Sequence, residues 1–209
     1  MAGYRARALL TEAGVLEDGV LGVEDGRITE LRAGGPYDVD LGDVAVLPGL
    51  VNAHSHAFQR VLRGRAEHLL AARPEADFWT WRARMYQAAL ALGPDEIEAV
   101  SAMAFLEMAL SGITTVGEFH YLHHDPKGAV YADPNELAHR VIAAARGVGL
   151  RIALLRVAYH RAGFDRPAEP EQRRFVEPDV YTFLGRAEAL AASYKNDQMV
   201  TIGLAPHSV

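Results

Sequence analysis

Four short apolar runs separated by helix-patterned stretches constrain this chain more than any other feature. Segments 50–53, 114–119, 150–157 and 200–204 have the length and apolar, often β-branched content of buried strands. Between them, 77–92 and 94–111 read as helices, the second closed by Gly112 as a C-cap. A third helix is expected from Asp133 to about Arg146, with Asp133 as N-cap, Pro134 in the first turn and Glu136 placed to reach back. A fourth covers 178–194. Strands joined through helices lie parallel, because only a long crossover returns the chain to the same edge of the sheet. Four such units make the open half of a (β/α)8 barrel, which typically takes roughly 250 residues to close. Before Pro48 the pattern differs: 20–23, a turn at Glu24-Asp25-Gly26-Arg27, and 28–32 read as a small β unit. No repeat of solenoid period and no low-complexity tract interrupts this order.

The chemistry concentrates where the first of the four strands ends. In Leu47-Pro48-Gly49-Leu50-Val51-Asn52-Ala53-His54-Ser55-His56 two imidazoles follow a turn and a short apolar strand. Residues i and i+2 of an extended segment share a face, so His54 and His56 can converge on one cation. A hydrogen-bonded structural pair is the plainer reading, but the position at a strand's C-terminal end favours a metal. Other polar groups recur at strand ends: His120 and Tyr121, Tyr159 and His160, and His207. The absence of cysteine from the sequence leaves only nitrogen and oxygen ligands for any metal and excludes disulfides. A formal charge of -6 argues against nucleic acid. No apolar run approaches the roughly 20 residues of a membrane span, and no signal-peptide pattern follows Met1. A cytoplasmic protein without a membrane partner is the expectation.

The run from Pro48 to His56 resembles the first-strand metal signature of the amidohydrolase superfamily. His54-Ser55-His56-Ala57-Phe58-Gln59-Arg60, Phe78-Trp79-Thr80-Trp81-Arg82, Glu118-Phe119-His120-Tyr121, His123-His124-Asp125, Tyr131-Ala132-Asp133-Pro134 and Ala162-Gly163-Phe164 are similar to strings of its formimidoylglutamate deiminase branch. The resemblance implies an α/β fold: the N-terminal half of a metal-dependent hydrolase (β/α)8 TIM barrel over 48–209, preceded by part of a small β-sandwich domain over 1–47. It implies hydrolytic deimination of N-formimidoyl-L-glutamate in histidine degradation, with one divalent metal, Zn or alternatively Fe, held by His54 and His56. Gln59, Tyr121 and His207 are implied to contact this small anionic substrate. Arg82 is a candidate partner for its carboxylate, against the plainer reading of an exposed helix arginine. Histidine rather than lysine at the end of the fourth strand implies a mononuclear site. A homodimer is implied for the full-length form.

On this reading the general acid/base glutamate, a third metal histidine and the metal-binding aspartate lie beyond Val209, so no catalytic residue is expected within these 209 residues. His123 and His124 are adjacent and read as loop structure, since neighbouring side chains rarely meet at one metal. His68 and His139 read as solvated. The order Tyr159-His160-Arg161 departs from the pattern of the branch, so His160 receives no role. Two alternatives stay open: another deaminase of the superfamily, acting on guanine, an adenosine derivative or a triazine, and a non-catalytic fragment that serves as an interaction subunit.

Overall fold

The computed structural model describes residues 1–65 and 78–207. They form two compact units, Met1–Gly49 and Leu50–Val209.

In the first unit, β1 (Ala2–Thr11), β2 (Gly14–Glu24) and β3 (Arg27–Ala33) form an antiparallel meander. The short strands β4 (Val39–Asp40) and β5 (Ala45–Val46) both pair in parallel with β1, giving one five-stranded sheet. The β2–β3 turn works because Asp25 and Gly26 both take positive φ, 49° and 73°, the backbone that suits the twist of a two-residue hairpin. Ala6, Leu9 and Val20 are buried, whereas Leu10, Val15, Ile28 and Leu31 are exposed.

The second unit is built on four parallel strands: β6 (Leu50–Ser55), β7 (Ile113–His120), β8 (Arg151–Tyr159) and β11 (Val200–His207), in the spatial order β11-β8-β7-β6. Helices α1 (Phe78–Ala91) and α2 (Pro94–Leu110) join β6 to β7, α3 (Glu136–Val148) joins β7 to β8, and α4 (Val180–Ser193) precedes β11. The pair β9 (Arg161–Gly163) and β10 (Arg166–Pro167) lies in the segment between β8 and α4. Alternation along the strands separates the two faces of the sheet. Val116, Ile152 and Leu154 join Ile97, Phe105, Val141, Ile142 and Leu190 of the helices in one core. Their neighbours Thr115, Gly117, Ala153 and Leu155 are only half buried.

Several expected boundaries move, each for a local reason. Strand β6 continues to Ser55 and therefore includes His54. Helix α3 starts at Glu136 with Asn135 as its N-cap rather than Asp133; the Asp133 carboxylate instead accepts from the Asn135 N–H at 2.8 Å, a turn that delays the helix. Helix α4 starts at Val180, where Asp179 accepts from the backbone N–H groups of Tyr181 and Thr182. His68 and Asp77 lie outside the described residues.

Candidate active site

The end of β6 is shaped by a bulge. Asn52 is opposite Val116 and Ser55 opposite Glu118, so β6 uses three steps where β7 uses two. The bulged backbone comes so close to β7 that a Cβ on Gly117 would stand 2.8 Å from the Ala53 carbonyl oxygen, which only glycine avoids. Beyond the bulge the rings of His54 and His56 meet edge to face, with centroids 4.7 Å apart. Their Nε2 atoms are 3.1 Å apart. His56 Nδ1 lies 3.0 Å from the Phe119 carbonyl oxygen, which can only accept, so Nδ1 carries the hydrogen and Nε2 turns a lone pair toward His54. Burial holds the His56 pKa below its ordinary value, against the opposing Phe119 carbonyl, with His54 and His207 adding to the shift; the ring is neutral.

Two imidazole nitrogens that bind one Zn at about 2.0–2.1 Å stand roughly 2.9–3.4 Å apart, for bond angles between a right angle and the tetrahedral value. The observed spacing fits two adjacent ligands of one divalent cation. No group of three or more His, Cys, Asp or Glu side chains able to hold a metal occurs among the described residues, so the fit is to two corners of a coordination sphere.

The pair opens into a cleft of about 530 Å³ at the C-terminal ends of the strands. Gln59, Tyr121, Arg82 and His207, all singled out in the sequence, line it together with His54 and His56. Gln59 sits on a 3-10 turn, Ala57–Leu62, and its amide donates to the Tyr121 hydroxyl at 2.6 Å. Burial raises the Tyr121 pKa, so its hydroxyl stays protonated. His207 stacks on Tyr159 with centroids 4.5 Å apart and planes 16° from parallel. Arg82 is not an exposed helix arginine: its guanidinium lies over Tyr86 and Trp79, and its Nε donates to the Tyr86 hydroxyl at 2.7 Å. Phe78, Trp81 and Phe175 add an aromatic lining.

Behind the histidine pair sits Glu118, a group the sequence reading did not separate from its string. It is buried, and its Oε1 accepts from the Ala57 N–H at 2.8 Å, tying down the chain just after His56. Desolvation pushes its pKa up to about 7, with the Ala57 N–H working against the shift.

Three histidines from strand ends or their loops turn away from the cleft. His120 is buried on the face of Val116 and Glu118, opposite Phe119, and burial followed by the charge of Arg156 drives its pKa down to about 3. His123 Nε2 donates to the Val157 carbonyl and His124 Nε2 to that of Val176, each at 2.9 Å. Beside them Arg156 pairs with Glu177 at 2.5 Å, both buried, and Arg186 also reaches Glu177. His160 lies off the cleft as well, its Nδ1 3.1 Å from the Glu177 carbonyl. His139, expected to be solvated, is half buried: its Nδ1 lies 2.7 Å from the Tyr194 hydroxyl and its Nε2 3.3 Å from Asp133.

Parallel strands with histidines and hydrogen-bonding side chains gathered at their C-terminal ends define a barrel-type hydrolase architecture with a metal-ready corner. Residues 45–209 match the model of the amidohydrolase family, and the chain belongs to that family. It is 46% identical over 155 residues to formimidoylglutamate deiminase of Pseudomonas aeruginosa, covering 73% of this chain and 34% of that protein. It is 31% identical over 211 residues to 8-oxoguanine deaminase of the same organism, covering 96% of this chain and 44% of that protein. Among solved structures, an amidohydrolase from Brucella melitensis superposes with a TM-score of 0.91 at 38% identity, covering 99% of this chain and 46% of that one. The chain thus spans between a third and a half of the length of these relatives.

Proposed function

We propose that this chain supplies the first-strand metal corner and part of the substrate cleft of a hydrolytic deiminase acting on N-formimidoyl-L-glutamate, giving N-formyl-L-glutamate and ammonia. The observation that carries this reading is the pair of facing Nε2 atoms of His54 and His56 at 3.1 Å, opening into a cleft that also holds Arg82. When bound, a divalent metal such as Zn lowers the pKa of its water to about 7 and so supplies hydroxide near neutral pH. Overall, water adds to the formimidoyl carbon, the bond from that carbon to its terminal nitrogen breaks, and that nitrogen leaves as ammonia.

The chain's own residues have definable parts in this. The Phe119 carbonyl keeps His56 in the tautomer whose Nε2 can bind a cation. Gln59 fixes the Tyr121 hydroxyl as an acceptor, which directs the phenolic hydrogen toward another partner. Arg82 offers a cation to a carboxylate. The 46% identity to formimidoylglutamate deiminase supports this substrate class.

A second reading, deamination of a nucleobase, is favoured by the aromatic lining of Phe78, Trp81, Phe119 and Phe175 and by the likeness to 8-oxoguanine deaminase. Ammonia release by the intact protein in which this sequence occurs separates the two. The first reading expects kcat/KM for N-formimidoyl-L-glutamate at least ~100-fold above that for guanine or 8-oxoguanine, the cost of leaving buried polar groups unpaired. Equal or higher activity on a purine favours the second.

A further inference from the structure

Gln172 touches no part of the cleft surface, yet it is the point from which two of the cleft's hydroxyls are set. It ends the short 3-10 turn Pro170–Gln172 and is fully buried. Its amide oxygen accepts from the Glu169 N–H at 2.8 Å. Its amide nitrogen is 2.7 Å from the Tyr159 hydroxyl and 3.0 Å from the Tyr86 hydroxyl, and donates to both. One acceptor and two donors are thereby committed.

The consequence follows from the valence of a phenol. Tyr86 accepts from Gln172 and also from Arg82 Nε, so both lone pairs of its oxygen are engaged and its own hydrogen must serve an acceptor elsewhere. Tyr159 likewise accepts from Gln172. Tyr86, Tyr159 and Arg82 all line the cleft that holds His54 and His56. An amide nitrogen at this position thus leaves two hydroxyl hydrogens for other acceptors on the side of the cleft that carries a guanidinium. A carboxylate accepts such bonds and offers no hydrogen to compete with Gln172.

We propose that Gln172 is a positioning residue that fixes the Tyr86 and Tyr159 hydroxyls as donors and, with Arg82, creates a subsite for a carboxylate group of the ligand. The subsite requires only that the ligand carry a carboxylate; its link to turnover rests on the deiminase reading above. Replacing the amide by a carboxylate reverses the polarity: in Gln172→Glu both phenols donate inward to the new acceptor, and the added negative charge repels an anion.

The test uses the intact protein, with glutarate as a binding probe and N-formimidoyl-L-glutamate against N-formimidoyl-L-glutamine as substrates. Gln172→Glu is expected to weaken glutarate binding about 10- to 100-fold, the range for losing hydrogen bonds to a charged group. It should raise KM for the glutamate substrate by a similar factor with kcat within about twofold, and bring the two substrates closer together. Gln172→Met, which removes the donors without adding charge, should give a smaller loss in the same direction and covers the case in which the glutamate variant fails to fold. A merely structural role would lower thermal stability and affect both substrates equally; that result overturns the proposal, as does unchanged glutarate affinity in either variant or no glutarate binding by the parent. A parent inactive on N-formimidoyl-L-glutamate that still binds glutarate in a Gln172-dependent way overturns the reaction and keeps the subsite.

Discussion

His54-Ser55-His56 and His123-His124 are two histidine pairs in one small sheet, and they meet opposite fates. In the first, one intervening residue on an extended strand puts both rings on the same side, and the Nε2 atoms face each other across 3.1 Å. In the second, adjacent residues diverge, and each Nε2 is spent on a different carbonyl, Val157 and Val176. The first pair opens into the cleft; the second is buried beside Arg156 and Glu177. Spacing, and where the ring nitrogens find hydrogen-bond partners, decide whether a histidine is available to a cation or serves as mortar.

The largest effect expected from that contrast is on turnover. His54→Ala or His56→Ala in the intact protein should abolish measurable deimination, because without the metal no hydroxide forms at neutral pH. His123→Ala should leave kcat within a few-fold, and cost about 1–3 kcal/mol of stability through the Val157 carbonyl left without its donor. Loss of activity in the His123 variant at full folding, measured against circular dichroism melts, would erase the distinction between the pairs.

The buried cluster should carry the largest stability effect. Glu177→Leu removes the carboxylate that partners Arg156, which is fully buried, and Arg186. Breaking such a pair leaves an uncompensated charge, with an expected loss of about 3–5 kcal/mol in urea unfolding.

Glu118 gives the next effect, and it depends on pH. Its pKa stands near 7 in the fold, above the ordinary carboxylate value of 4.5. Relative to the unfolded chain the fold favours the protonated form, so this group's contribution is fully present below about pH 4.5 and is lost as pH rises through about 7. Its size is on the order of 3 kcal/mol. Glu118→Gln keeps an acceptor for the Ala57 N–H and removes the titration. The difference in stability between variant and parent should therefore grow in the variant's favour from pH 4.5 to 7 and then level off; a constant difference would contradict the assignment. The smallest effect is expected for Tyr121→Phe, which loses the hydroxyl held by Gln59: KM should rise about 10-fold with kcat nearly unchanged in steady-state assays.

Much of this site was legible in the sequence because it depends on short-range geometry. Strand ends, the His-x-His spacing and the runs containing Gln59, Arg82, Tyr121 and His207 all pointed to residues that line one cleft. What escaped depended on distance in the chain or on a rule not carried far enough. The same period of two that pairs His54 with His56 separates His120 from Phe119 in β7, placing His120 with Val116 and Glu118 on the helix-covered face. Arg156 in the middle of an apolar strand was a visible sign of a buried ion pair, but its partner lies in the segment after β8. Gln172 had no local signal, since its partners Tyr86 and Tyr159 are 86 and 13 residues away. Tyr86, one helical turn after Arg82, could have been read from the i, i+4 spacing.

The most direct test of the central claim follows the imidazole nitrogens by long-range nitrogen–proton correlation NMR while the 209-residue chain is titrated with Zn. The two-ligand corner predicts weak binding, in which the Nε2 resonances of His54 and His56 shift together and saturate together. Those of His120, His123 and His124 should hold their positions, and the His54 and His56 response should vanish in His54→Ala. A primary response at His123 or His124, or His54 and His56 resonances that stay fixed at millimolar Zn, would contradict it.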